Sequence, residues 1–142
     1  MNTEKTEVLN EEQIKEKYMQ FQFLQKNMEQ LSSHLEMLNQ QNAELEISIH
    51  ALQELGQSKV GDEILAPIAD GIFLRAELKE NQKFIVNVGS GITVEKTKEQ
   101  VIELLETQKK EISEKIIEAE AILQELNAQA LKIYQEVEEH VN

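Results

Sequence analysis

The sequence predicts a mainly α chain with a small β insert: a long antiparallel two-helix coiled coil, capped by two β-hairpins that join an oligomeric β-barrel. Three observations carry this. Two long stretches free of Gly and Pro repeat apolar residues every three and four positions. The segment between them switches to a period of two. Its short strands carry more apolar surface than they can bury by themselves.

The first helical stretch covers residues 11–55. Its seam runs Ile14, Lys17, Phe21, Leu24, Met28, Leu31, Leu35, Leu38, Asn42, Leu45, Ile49 and Leu52, with Ile14, Phe21, Met28, Leu35, Asn42 and Ile49 at heptad position a. Gly56 is the expected stop, as the first residue that readily takes the left-handed conformation of a helix end. The second stretch opens at Thr97, where Thr97-Lys98-Glu99-Gln100 fits a capping box. Its seam runs Ile102, Leu105, Lys109, Ile112, Ile116, Ala119, Leu123, Leu126, Ala130, Ile133 and Val137. At ~1.5 Å per residue, a helix over residues 11–55 measures roughly 68 Å. A globule of this chain length has a radius of gyration of about 14 Å. An elongated antiparallel hairpin is therefore expected.

Placing Leu52 opposite Ile102 sets every a position against a d position. Phe21 then faces Ile133, Leu24 faces Ala130, Met28 faces Leu126 and Leu35 faces Ala119. The polar interruptions Asn42 and Lys109 fall one layer apart, where the amide oxygen would accept from the ammonium and fix register at some loss of stability. Lys17 is expected to let that end of the pair splay.

Between the helices, Ile64, Ala66 and Ile68 alternate with other residues, as do Ile72, Leu74, Ala76 and Leu78, then Phe84, Val86 and Val88, then Ile92 and Val94. Breaks at Ala69-Asp70-Gly71, Glu80-Asn81-Gln82 and Gly89-Ser90-Gly91 make four strands in two hairpins. Pro67 donates no ladder bond and so places the first strand at an edge or at a bulge. Leu65, Phe73 and Ile85 form a second apolar set on the opposite phase. Isolated hairpins with two apolar faces are marginal in water, so several copies or related subunits are expected to pool them into a closed barrel. The expected oligomerisation residues are Ile64, Leu65, Ile68, Ile72, Phe73, Leu74, Phe84, Ile85, Val86, Val88, Ile92 and Val94. The divisions of this single structural domain are 1–56 for the first helix, 57–96 for the hairpins and 97–142 for the second helix.

Composition restricts function. The chain has 142 residues, 27 acidic against 14 basic, for a net charge of −13. Such an excess gives no general attraction for nucleic acid or anionic membranes, and neither is expected as a partner. With no cysteine there is no disulfide framework, thiol nucleophile or Cys-ligated zinc. Met1–Lys5 lack the apolar core of a signal peptide, so a cytoplasmic protein is expected. At 40% apolar residues, regularly spaced, the sequence is not that of a disordered acidic chain.

The order helix, hairpin segment, returning helix, together with the hairpin sequences Glu63-Ile-Leu-Ala-Pro67-Ile, Gly71-Ile-Phe-Leu-Arg-Ala-Glu-Leu78, Val86-Asn-Val-Gly-Ser-Gly91 and Val94-Glu-Lys96, resembles the α-type subunits of the prefoldin family. The order of elements covers nearly the whole chain, whereas the distinctive motifs lie between Asp62 and Thr97. One departure is Ala69-Asp70-Gly71, at a turn where α-type sequences commonly carry more glycine. The resemblance implies a hexameric holdase chaperone of two α-type and four β-type subunits with a double β-barrel platform. It also implies coiled-coil arms whose tips hold unfolded polypeptides and pass them to a group II chaperonin, without ATP, cofactor or catalysis.

Client-binding residues are expected at the end of the pair where the first helix starts and the second finishes: Tyr18, Met19, Phe21, Phe23, Ile133, Tyr134, Val137 and Val141. Aromatic and Met side chains suit loose contact with unfolded chains. Phe21, Ile133 and Val137 have closing the coiled coil as their primary duty. Tyr18, Met19, Phe23 and Tyr134 lie off the seam. Other candidates are weak. Gly89-Ser90-Gly91 reads as a hairpin turn rather than a phosphate loop, since no Lys-Ser/Thr follows it. His34, His50 and His140 are far apart and read as surface residues, with no metal expected. No paired carboxylates or activated nucleophile stand out. The alternative function is a structural coiled-coil spacer or filament former assembling through its hairpins.

Overall fold

The computed structural model describes residues 9–141, with side chains through Glu139. Two helices, α1 (Glu11–Gln57) and α2 (Lys98–Val141), flank strands β1 (Glu63–Ala69), β2 (Ile72–Glu77), β3 (Lys83–Gly89) and β4 (Ile92–Thr97). Both helices open with reciprocal caps. At α2 the Thr97 amide donates to Gln100 Oε1 at 2.9 Å and the Gln100 amide to Thr97 Oγ1 at 3.1 Å, as the sequence predicts. At α1 the Gln13 amide donates to Asn10 Oδ1 at 2.8 Å and the Asn10 amide to Gln13 Oε1 at 3.1 Å. Glu11, Glu12 and Glu99 in the first turns favour the positive dipole ends.

The end of α1 differs from expectation. The helix runs through Gly56 to Gln57, and the left-handed residue is Gly61, with φ of 97°. Gly56 answers to packing instead, since a Cβ there would sit 2.6 Å from Lys98 Cδ. The missing side chain admits the aliphatic stem of Lys98. The chain then reverses through a bond from the Lys59 amide to Asp62 Oδ2 at 2.9 Å.

The chain divides into two compact units. In the terminal unit, residues up to Gln40 associate with those from Glu114 onward. Here Lys17 Nζ meets Glu136 Oε2 at 2.5 Å, and the Phe21 and Tyr134 rings lie 6.2 Å apart at 40°. Both pairs are one residue away from the register built on Leu52 and Ile102, and they establish antiparallel pairing. Lys17 therefore clips the helices together rather than letting them splay. The buried residues include Leu24, Leu35, Ala119 and Ala130, which that register sets opposite one another as Leu–Ala layers. Leu35 is 9% exposed and Ala119 6%.

The second unit, Gln41–Ser113, contains the hairpins and the adjoining helix ends. Ile49 from α1, Val101 from α2 and Leu78 from the link between the hairpins are buried. Backbone bonds tie the hairpins to the helix ends: Gly61 N to Leu78 O at 2.7 Å, Leu78 N to Asp62 O at 2.9 Å, and Lys98 N to Gln82 O at 2.8 Å. The Asn81 side-chain amide donates to Ser58 O at 2.6 Å.

β1 pairs antiparallel with β2, and β3 with β4, as two separate two-stranded sheets. The ladders run from Glu63↔Glu77 to Ala69↔Ile72, and from Lys83↔Thr97 to Gly89↔Ile92. Each carries a bulge just before its turn, between Pro67 and Ala69 and between Asn87 and Gly89. Pro67 thus sits beside a bulge. Every pair of the second hairpin repeats a pair of the first, twenty positions later. The turns are built differently: only Gly71 (φ 76°) is left-handed in the first, whereas Gly89 (122°), Ser90 (51°) and Gly91 (75°) all have positive φ in the second.

Candidate functional site

At the end of the terminal unit where α1 starts and α2 finishes, the expected residues separate into two groups. Tyr18, Met19, Phe23 and Tyr134 are each more than half exposed. Phe21, Ile133 and Val137 are half-buried, as seam residues should be. The Val141 side chain lies outside the described residues. Tyr18 and Tyr134 occupy heptad position e, whereas Met19 (f) and Phe23 (c) lie round the other side of α1. Tyr134 rests on Phe21, so its ring is held in place while one face stays open. On the other side Met19 and Phe23 border a shallow groove with Leu24 and Ile133, edged by the polar Gln20 and Gln129. This end therefore offers large apolar surface on two sides, organised by the helices beneath it.

On the hairpins, the inward phase is half-buried at Ile64, Ala66, Phe84 and Val86. Leu65, Ile68, Ile72, Phe73, Leu74, Ile85, Val88, Ile92 and Val94 are exposed, Ile85 at 77%. Leu65 pairs with Arg75 and Pro67 with Phe73, so the first hairpin has an apolar outer face as well as an inner one. Each strand is hydrogen-bonded along one edge only. Open edges joined to apolar faces are the condition under which strands recruit further strands.

The polar layer of the seam differs from expectation. Lys109 Nζ bonds Glu46 Oε1 at 2.8 Å rather than Asn42, and Asn42 Oδ1 is buried with no hydrogen-bond partner among the described residues. An ionised carboxylate is a stronger acceptor for ammonium than a neutral amide, and Glu46, at heptad position e, flanks the seam within reach. The Glu46 hydrogen bond holds Lys109 above the ordinary 10.5, against a smaller opposing effect of desolvation.

The other candidates are placed without chemistry. His50 pairs with Glu54 at 3.2 Å on the surface of α1, His34 is exposed, and the His140 side chain lies outside the described residues. Among the described residues no three His, Asp or Glu are grouped to hold a metal ion. No helix among them is long and apolar enough to cross a membrane. Two features escaped sequence reasoning. The Asn10–Gln13 cap was signalled by its N-x-x-Q spacing. The exposed Ile117 and Leu131 on α2 were signalled by their seven-residue multiple at position b, one face away from the seam.

Comparison with known proteins is consistent across sequence and structure. The family model described as Prefoldin subunit matches residues 24–142. Prefoldin subunit alpha of Pyrococcus horikoshii is 30% identical over 131 residues, covering 92% of this chain and 88% of that protein. Prefoldin subunit alpha of Thermofilum pendens is 35% identical over 86 residues, covering 61% and 67% respectively. A chain of the filamentous PFD from Methanocaldococcus jannaschii, solved by cryo-EM, superposes with a TM-score of 0.71 at 21% identity, covering 80% of this chain and 94% of that one. The paired helices, the two hairpins between them and these matches together place the chain in the prefoldin family, as a subunit of the α type.

Proposed function

We propose that this subunit acts in an ATP-independent holdase, capturing unfolded polypeptides at the exposed end of its helix pair for delivery to a group II chaperonin. Prefoldins are chaperone subunits, and their α subunits assemble with other subunits into prefoldin complexes. The observation that carries the reading is the exposure of Tyr18, Met19, Phe23 and Tyr134, including three of the chain's six aromatic residues, at the end of the terminal unit where α1 starts and α2 finishes. Each lies outside the seam, where a coiled coil of purely structural duty has no use for large apolar side chains. The hairpins supply open edges and apolar faces for joining β-type subunits, in a hetero-hexamer of two α and four β chains. Nothing in this role calls for catalysis or a cofactor.

The test removes residues 1–24 and 131–142, or substitutes Tyr18, Phe23 and Tyr134 by Ser. Light scattering follows aggregation of a denatured client diluted into the assembled complex, and native mass follows assembly. Protection should be lost with assembly intact. Full protection by both variants would overturn the reading. A spacer or filament former would need the same hairpins but no apolar surface at the helix ends, so the four exposed side chains favour the chaperone.

A further inference from the structure

The groove at the end of the terminal unit carries an uncompensated charge. Met19, Phe23, Leu24 and Ile133 give it an apolar lining, and Glu16 is the one charged residue lining it among those described. Lys26 and Lys132, the basic residues at heptad positions on that flank, do not line it. Glu16 is exposed and forms no ion pair with any described residue. Lys17, its neighbour in sequence, is engaged by Glu136 instead. Over residues 9–24 and 129–139 six glutamates stand against three lysines, one of them Lys17.

The other side of this end offers ring faces. Tyr18 is 58% exposed and Tyr134 54%, the latter held against Phe21. An open aromatic face attracts an ammonium or guanidinium group through the ring quadrupole and repels a carboxylate. The two sides therefore favour the same sign of charge for independent reasons.

We propose, resting on client capture at this end, that the segments held here are extended unfolded stretches in which Lys or Arg lies close to an aromatic or aliphatic side chain. Glu16 and Phe23 both occupy heptad position c, and seven residues at ~1.5 Å each set them about 10 Å apart along α1. An extended chain covers that distance in about three residues. A basic side chain placed on Glu16 thus brings the apolar residues beyond it over Met19 and Phe23. The side-chain amides of Gln20 and Gln129 at the groove edge both donate and accept, and so can pair backbone groups that an extended segment leaves open. Segments that combine apolar with acidic residues meet Glu16 with like charge and are held more weakly.

The test uses the full-length chain and three fluorescent 12-residue peptides. The first carries Leu and Phe with Arg three positions away, and the second has Glu in place of each Arg. The third keeps Arg but has Ser in place of Leu and Phe. Fluorescence anisotropy should show the first binding about fivefold tighter than the second, and the third not binding measurably. The advantage should shrink as salt screens the exposed charges. Glu16→Gln should reduce it to about twofold, and adding Tyr18→Leu and Tyr134→Leu should bring the two apolar peptides to equal affinity. Glu44→Gln removes the same charge at position c, four heptads further along α1, and should leave the preference unchanged. Equal losses from Glu16→Gln and Glu44→Gln would overturn the proposal, since overall charge would then decide the preference. Equal affinity of the Arg and Glu peptides for the unaltered chain, with binding still abolished by Tyr18→Ser, Phe23→Ser and Tyr134→Ser together, would overturn it while leaving client capture standing. If that triple Ser variant binds both peptides undiminished, client capture itself fails and the proposal falls with it.

Discussion

Replacing Leu35 by Ala tests the packing of the terminal unit at its most sensitive kind of layer. The side chain is almost wholly withdrawn from water, and the register sets it against Ala119, also buried. Truncation removes three methylene-sized groups at ~0.8 kcal/mol each. Because Ala119 ends at its Cβ, it cannot extend into the void, and a cavity penalty adds to the transfer loss. The better helix propensity of Ala returns only ~0.2 kcal/mol. The net cost is about 3 kcal/mol, equivalent to roughly 100-fold in an opening equilibrium. Amide hydrogen exchange of the assembled protein is the assay, because it reports opening of the helix pair while the hairpins stay formed. Amides around Leu35 and Ala119 should exchange roughly 100-fold faster in Leu35→Ala. Met37→Ala, two residues on but exposed, should change them by less than about threefold. Equal acceleration by the two variants would refute the layer argument, since it would mean that position relative to the seam does not decide the cost.

Further outcomes follow from other parts of the molecule. Cys substitutions at Leu35 and Ala119 should close a disulfide under mild oxidation, seen as a mobility shift in a denaturing gel, whereas Met37 and Ala119 should not. Asn42→Leu removes a buried unpartnered oxygen and should raise the unfolding free energy by about 1 kcal/mol, read as a higher denaturant midpoint at unchanged slope. Gly91→Ala places a Cβ on a residue with φ of 75° and should destabilise the second hairpin by about 1 kcal/mol, read as a lower melting temperature. Lys109, with its proton affinity raised by Glu46, contributes stability that is fully present below 10.5 and is lost as pH climbs past that value. Lys109→Met should therefore flatten the alkaline limb of the stability profile, measured by urea unfolding against pH.

The helices were legible because a seam of apolar residues repeats a single period for six heptads, and the strands because the period changes to two. Pro67 announced its bulge through the amide it lacks. What stayed hidden depended on neighbours remote in sequence. Gly56 reads as a helix terminator until the Lys98 stem is seen to pack across it. The partner of Lys109 was misjudged because seam reasoning compares a and d positions and passes over Glu46 at e. Lys17 was likewise judged without Glu136. At the end of the helix pair, residue type and heptad position together separate exposed Phe23 from half-buried Phe21, which neither does alone. Ile117 and Leu131 escaped because attention to the seam leaves the faces beside it unread.

The twenty-residue repeat of the hairpins makes each turn a built-in control for the other. Between the repeats, the paired positions coincide in identity at Gly71 with Gly91 and at Ile72 with Ile92, and at no other ladder or turn position. One connection closes with a single left-handed residue and the other with three in succession, yet both strands leave in the same register. The path of the hairpin is thus dictated by its bulge and ladder. Turn composition is left free by it: Ala69-Asp70-Gly71 holds one glycine where Gly89-Ser90-Gly91 holds two.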